Sequence, residues 1–195
     1  MKTTVGGQRL RDLRRLKEVI IPEGVQKVGE QWFMNSEIEG VEIPANVEII
    51  EDEAFCNCEK LKRVTFAPGS RLKKIGTGCF QNTGVEKTVI PKGVTEIQGR
   101  TFSGCKNLRE VVFETGSELK TIRKSMSEEC TNLATTNLPE GLQSIGDRAF
   151  RNCRSLTSIQ FPDGLKDIGE NCFENSGLKE VVLPASVREV DASAF

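Results

Sequence analysis

The chain has 195 residues, 37% hydrophobic and 28% charged, and its 27 Lys+Arg against 28 Asp+Glu leave a formal net charge of -1. This is the composition of an ordinary globular chain that can bury a core, and it lacks the basic field that draws proteins to nucleic acid. No run approaches the roughly 18 apolar residues of a membrane span, and the opening MKTTVGGQRLRDLRR lacks the apolar stretch of a secretory signal.

Read in chain order, the sequence is one motif repeated. Its clearest copy is Leu142, Ile145, Phe150, Cys153, Leu156, Ile159, Phe161 and Pro162. Turns of this plan start near Lys2 and then at Val25, Val47, Leu72, Val94, Leu119, Leu142, Leu165 and Val187, so from Val25 they are 22, 25, 22, 25, 23, 23 and 22 residues long. That is a solenoid period, and a single array over 1–195 is expected. In the first turn Val5, Leu10, Leu13 and Leu16 fill the apolar slots, and Arg9, Arg11, Arg14 and Arg15 read as a solvated face. The turns from Val25 and Val47 bring Phe33 and Phe55 to one shared slot, which Phe80, Phe102, Phe150, Phe173 and Phe195 fill later. Two turns carry insertions, APGSR at 67–71 and ETGSE at 114–118, which make them 25 residues long. The turn from Leu119 departs from the plan, because Ser127 stands in the phenylalanine slot beside Met126. Met126 is expected to swing into the gap, since its side chain adapts to irregular spaces, and this turn is expected to be the least stable. The chain stops at Phe195, inside a further turn. Neither end shows the polar cap that a repeat array needs, so the sequence is expected to be a piece of a longer array.

Each turn predicts three short elements. In LTSIQF, 156–161, inward Ile159 and Phe161 alternate with outward Ser158 and Gln160, the period of a strand with one buried face. Six of the seven prolines, Pro22, Pro44, Pro91, Pro139, Pro162 and Pro184, directly follow that strand, where a missing amide donor ends it. LKDIG, 165–169, suits a second extended segment, and the short ENCFEN, 170–175, a 3₁₀ or single-turn α element. Stacked in parallel, such turns bury one phenylalanine each, worth roughly 1.5–3 kcal/mol apiece.

The stretch IGDRAFRNCRSLTSIQFPDGL, 145–165, resembles the BspA-like branch of the leucine-rich repeats, whose units follow a pattern close to IG..AF..C..L..I..P. The resemblance covers essentially the whole chain in register, with Thr88, Ser127 and Thr136 departing from it. It implies an α/β repeat fold, a right-handed β-solenoid with a parallel sheet on its concave face and 3₁₀ or short helical turns on the convex side. It also implies a cell-surface or secreted protein of a host-associated microbe that adheres to host proteins or other cells.

Chemistry-bearing alternatives find little support. The chain has no histidine, which removes Ser-His and Cys-His nucleophile pairs and histidine-containing zinc sites. GTGCFQ, 76–81, begins like a dinucleotide loop but lacks its third glycine and falls in register with the repeat. The carboxylates scatter over outward slots. Cys58, Cys105, Cys130 and Cys153 share a slot with Ser36, Thr83 and Ser176, while Cys79 and Cys172 precede a phenylalanine. Free buried thiols are the preferred reading, against disulfides between consecutive turns or a metal cluster, for which CNC at 56–58 lacks the usual spacer. Cys56 stands apart as the candidate for an exposed thiol. No catalytic residue, metal or cofactor is predicted.

What remains is a surface, the part with which repeat proteins usually work. Two outward columns run across the strands, and the candidate ligand-binding residues on them are Arg63, Thr65, Lys87, Val89, Glu110, Val112, Asn137 and Gln160. Charges around Val89 and Val112 give an apolar centre with a polar rim, as in many protein interfaces; the plainer reading is that valine and threonine suit strands. Two functions compete. One is an adhesin segment that binds a protein through its concave sheet; the other is an intracellular scaffold or structural spacer without a specific site.

Overall fold

The computed structural model describes the backbone of Thr3–Thr4 and all of residues 17–195. The expectations for Val5, Leu10, Leu13, Leu16 and the four arginines fall outside the described residues. Among those described, fifteen short strands follow in chain order: β1 Thr3–Thr4, β2 Glu18–Ile20, β3 Lys27–Val28, β4 Gly40–Ile43, β5 Ile49–Ile50, β6 Arg63–Phe66, β7 Lys74–Ile75, β8 Lys87–Ile90, β9 Glu96–Ile97, β10 Glu110–Phe113, β11 Thr121–Ile122, β12 Thr135–Thr136, β13 Ser144–Ile145, β14 Asp167–Ile168 and β15 Glu189–Val190. All pair in parallel and in sequence order from turn to turn. One broad sheet runs β1-β2-β4-β6-β8-β10-β12, and two narrow ones run β3-β5-β7-β9 and β11-β13-β14-β15. The molecule is a parallel β-solenoid of about eight turns.

The repeat slots are the core. In the narrow sheets Val28, Ile50, Ile75 and Ile97 lie in register, as do Ile122, Ile145, Ile168 and Val190. In the broad sheet Val41 pairs Val64, and Ile43 pairs Phe66. The phenylalanines stack face to face, with ring centroids 5.0 Å apart for Phe33–Phe55, 5.3 Å for Phe55–Phe80 and 5.6 Å for Phe80–Phe102. The stack then skips a turn and resumes at Phe150–Phe173 and Phe173–Phe195, both at 5.3 Å. Ser127 occupies the gap, fully buried, and the adjacent Met126 is fully buried too, where other turns carry Ala54, Cys79, Thr101 or Ala149. Each proline after a strand opens a turn as its sequence position predicts: the amides of Val25, Val47, Val94 and Leu142 donate to the carbonyls of Pro22, Pro44, Pro91 and Pro139 at 3.0–3.1 Å.

The segments around the phenylalanines are hydrogen-bonded turns. Among the described residues no helix forms there, although the sequence suggested 3₁₀ or single-turn α elements. The reason lies in the sign of φ. From Phe33 to Phe173, residues two before and two after the phenylalanine slot are left-handed, such as Gln31 (56°) and Asn35 (61°) around Phe33, or Asn171 (51°) and Asn175 (54°) around Phe173. A helix needs consecutive negative φ, so this alternation prevents one; Gly78, Gly104 and several asparagines supply the conformation at low cost. Alternate amides then point along the solenoid axis. Phe33, Phe55, Phe80 and Phe102 each donate to the turn after their own, at Ala54, Cys79, Thr101 and Met126 respectively, over 2.8–2.9 Å.

Two regions depart from the sequence reading. The segment 156–161 keeps its alternation, with Ile159 and Phe161 partly buried and Ser158 and Gln160 exposed, yet no strand forms. The broad sheet ends one turn earlier, at β12, where Thr136 replaces the usual inward valine and its buried hydroxyl has no hydrogen-bond partner. Thr88 and Ser127, the other two departures from the repeat, carry the remaining unpartnered buried side-chain polar atoms among the described residues.

Candidate binding face

The broad sheet brings most of the predicted surface residues together. Arg63 pairs with Lys87 and Lys87 with Glu110, while Val89 lies opposite Val112 on the same face. Lys87 Nζ and Glu110 Oε2 form an ion pair at 2.6 Å. Val89 is 40% exposed and Val112 half-buried. Arg63, Thr65 and Lys87 are exposed, and Arg63 has no ion-pair partner among the described residues. Gln160 is set apart from this cluster, since its segment contributes no strand. Asn137 is in reach but occupied: its Oδ1 accepts from the Phe113 amide and its Nδ2 donates to the Phe113 carbonyl, both at 2.8 Å.

That side chain exposes an asymmetry written in the sequence. After β6 and β10 the usual proline is replaced by Ala67 and Glu114, whose amides donate back to Ile43 and Ile90 at 3.0 and 3.1 Å. These long turns therefore join the preceding strand over four residue pairs. The following strands lead into Pro91 and Pro139, which have no amide hydrogen for the carbonyls of Phe66 and Phe113. The junction after β10 keeps two pairs and adds the Asn137 side chain. The junction after β6 keeps only Arg63 with Lys87, and Val89 stands where Asn137 stands. A hollow of about 670 Å³ opens beside it, lined among others by Arg63, Phe66, Pro68, Val89, Pro91 and Lys92. Phe66, Pro68 and Pro91 belong to no outward column, so the columns alone miss them. The signal that finds them is the alternation of proline and non-proline after the strands.

The face of the solenoid formed by the phenylalanine turns spends its polar groups on itself. Asn57 Nδ2 donates to Asn35 Oδ1 at 3.1 Å and Asn82 Nδ2 to Asn57 Oδ1 at 3.0 Å. Gly104 follows Asn82 in this column, and a Cβ there would lie on the Asn82 Oδ1 atom. Arg151 bonds Glu174 at 2.6 Å and Glu128 at 3.4 Å. The Arg151 guanidinium holds the Glu174 carboxyl below its ordinary value.

All seven cysteines are free and buried, Cys56 included, which at 6% exposure corrects the expectation of an exposed thiol there. It lies against the turn face, half desolvated, and burial pushes its pKa up to about 11. The shared cysteine slot has a structural task. Thiols of Cys58, Cys105, Cys130 and Cys153 donate to the carbonyls of Phe33, Phe80, Phe102 and Ser127 at 2.9–3.2 Å, and Ser36 and Thr83 bond the thiols of Cys58 and Cys105. Burial raises Cys105 to about 11 and Cys153 to about 12, so both stay protonated and unreactive at neutral pH. No group of His, Cys, Asp or Glu among the described residues is arranged to hold a metal ion, and no described helix is long and apolar enough to cross a membrane.

A parallel solenoid of such turns defines a class of repeat proteins. The family model of the BspA type leucine rich repeat region matches residues 2–109 and 73–195 in six copies, and the chain belongs to that family. Its members are generally non-enzymatic binding modules. No curated protein sequence matches the chain. Among solved structures it is similar to a leucine-rich repeat protein from Bacteroides ovatus, at 26% identity over 85% of this chain and 49% of that one, with a TM-score of 0.68. The pneumococcal vaccine antigen PcpA is 28% identical over 90% of this chain and 53% of its own, with a TM-score of 0.60. The T. pallidum leucine rich repeat protein TpLRR is 25% identical over 80% and 70%, with a TM-score of 0.66. The chain thus spans about half the length of the first two.

Proposed function

We propose that this chain is a segment of a cell-surface adhesin that binds a protein partner through its broad sheet. Its contact patch is Arg63, Thr65, Lys87, Val89, Glu110 and Val112, with Gln160 at the margin and Asn137 supporting the sheet rather than touching the partner. The observation that carries this reading is the row of Arg63, without an ion pair among the described residues, and the Lys87–Glu110 pair beside exposed Val89. An apolar centre with a charged rim suits protein recognition, and the likeness to a vaccine antigen supports display at a surface. The test is binding of the purified chain to immobilised matrix and cell-surface proteins at physiological salt, against the variant Lys87→Glu/Val112→Asp. Saturable binding that the folded variant loses is the expected result. Equal binding by both would move the site elsewhere, and none by either would favour a structural spacer.

A further inference from the structure

The two long turns pose the same structural problem and solve it differently. Phe66 and Phe113 end their strands at equivalent repeat positions, each with N–H and C=O turned toward the next strand, and each facing a proline that cannot return a bond. At Phe113 a carboxamide closes the gap, because Asn137 gives one acceptor and one donor to the same residue. At Phe66 the equivalent side chain is Val89, which can give neither, and the register that would join Thr65 to Val89 and Phe66 to Ile90 is not made. The hollow lies at this opening. We infer that the opening between β6 and β8 is a recognition pocket for a partner's asparagine or glutamine side chain, whose carboxamide takes at Phe66 the place that Asn137 takes at Phe113.

This deepens the binding-face reading and rests on it. A primary carboxamide is the one neutral side-chain group that offers a donor and an acceptor in the fork a strand residue presents, and the molecule itself shows the geometry. Surroundings narrow the partner further. Phe66, Pro68, Val89 and Pro91 supply apolar walls, and Arg63, Lys87 and Lys92 stand around the mouth against the single carboxylate of Glu114. Glu114 is already spent on the Lys92 amide at 2.9 Å and Lys87 on Glu110, so that among the described residues Arg63 and the Lys92 ammonium are left for carboxylates. The fitting occupant is an extended polypeptide segment with a central Asn or Gln, apolar neighbours and flanking acidic residues. Thr88, buried in the lining, has an unpartnered hydroxyl, a second polar group at the same opening short of a hydrogen bond.

The probe is the peptide acetyl-Asp-Val-Asn-Val-Asp-N-methylamide, titrated into the folded chain while backbone amide shifts are followed, beside the same peptide with Leu at its centre. Binding should shift the Phe66 and Val89 amides, and the Leu peptide should bind roughly tenfold more weakly or worse, the loss of two hydrogen bonds. Val89→Asn should close the opening from within, abolish the titration and slow hydrogen exchange at Phe66 to the level of Phe113. Asn137→Val should do the reverse, quickening exchange at Phe113 and adding a second set of peptide-dependent shifts there. Equal binding of the two peptides, no binding of the Asn peptide, or binding unchanged by Val89→Asn would each overturn the inference. If Lys87→Glu/Val112→Asp abolishes capture of a whole partner while the peptide ignores Val89→Asn, the face stands and its occupant is wrong. If the peptide behaves as expected and no partner is captured, the pocket stands and the adhesin reading fails.

Discussion

Two junctions between neighbouring turns, one early and one central, show how separable the cohesive elements of this solenoid are. Between the turns from Val47 and Leu72 everything is joined along the narrow side: β5 pairs β7, Phe55 stacks on Phe80, and Glu53, Phe55 and Asn57 each donate an amide to the next turn. Between the turns from Val94 and Leu119 the narrow sheet is interrupted, since β9 does not pair β11, and the ring stack is lost at Ser127. What holds the second junction is the turn ladder, with Arg100, Phe102 and Gly104 donating to Lys124, Met126 and Glu128, and the short β10–β12 pairing closed by Asn137. In a repeat protein stability is a sum over such interfaces. Along its narrow side the molecule therefore has a strong stretch before residue 118 and a seam at the start of the turn from Leu119, whereas the broad side is interrupted earlier, between β6 and β8.

The largest effect should come from breaking the strong stretch. Phe80 stacks on both Phe55 and Phe102 and is almost fully buried, so Phe80→Ala should cost about 3–5 kcal/mol. Urea unfolding followed by circular dichroism would read it. Loss of a comparable amount from Phe195→Ala, whose ring is half exposed, would contradict the idea that two-sided stacking sets the cost.

Repairing the seam should work in the opposite direction. Met126→Ala/Ser127→Phe copies the Ala149–Phe150 pair of the following turn and inserts a ring between Phe102 and Phe150. It should stabilise the chain by roughly 1–3 kcal/mol, because the buried ring and the buried methionine it displaces are worth about the same and the gain is two ring contacts at about 0.5–1.5 kcal/mol each. Ser127→Phe alone should not, because Met126 already fills the core and an overpacked site costs about 1–3 kcal/mol. Hydrogen exchange at the β11 amides would show whether the gain falls at the seam or is spread over the array.

Alkali offers a third probe, because the cysteines lie along the whole core. A thiol whose folded pKa is raised favours the folded state while protonated. Cys105 therefore contributes stability in full below the ordinary thiol value of 9.0, and that stability drains away as pH rises through about 11. The loss from this one residue should be on the order of 2 kcal/mol. Mapping alkylated residues by mass spectrometry through the same pH range sharpens the comparison. Cys130, whose thiol bonds the Phe102 carbonyl across the seam, should react before Cys79, whose backbone carbonyl accepts from the Phe55 amide in the strong stretch. The reverse order would place the weak junction elsewhere.

How much of this is readable without coordinates differs from column to column. The Phe, Ile and Leu slots, the strand-ending prolines and the break at Ser127 follow from periodicity, because a buried slot tolerates few residue types. The 3₁₀ or single-turn α elements that the sequence suggests are not found among the described residues, and left-handed backbone at Gln31, Glu53, Arg100 or Arg148 has no strong residue signature; only the asparagines and glycines of the same columns hint at it. The strand at 156–161 was expected from a perfect local pattern, yet a strand needs a bonded neighbour, and that depends on Thr136 and Asn137 one turn away. In the candidate site the outward columns gave Arg63, Lys87, Val89, Glu110 and Val112. They also gave Asn137, whose side chain proves to be a stand-in for a missing backbone bond, a role visible only when Phe113 and Pro139 are placed together.

The smallest effect tests that dependence between turns. Thr136 sits where the broad sheet stops, in the inward column that Val41, Val64 and Val111 fill in earlier turns. Its hydroxyl is buried without a partner, and replacing such a group by an apolar one of the same shape removes a desolvation cost of about 1 kcal/mol. Thr136→Val should accordingly raise the melting temperature by roughly 2–4 °C for a chain of this size. A second consequence separates packing from propensity. If the hydroxyl is what frees the edge of β12, the variant should slow amide exchange in 157–160, as the neighbouring segment gains a strand to pair with. A stabilised variant with unchanged exchange there would mean instead that the Asn137 side chain, held against Phe113, keeps β12 from accepting another strand.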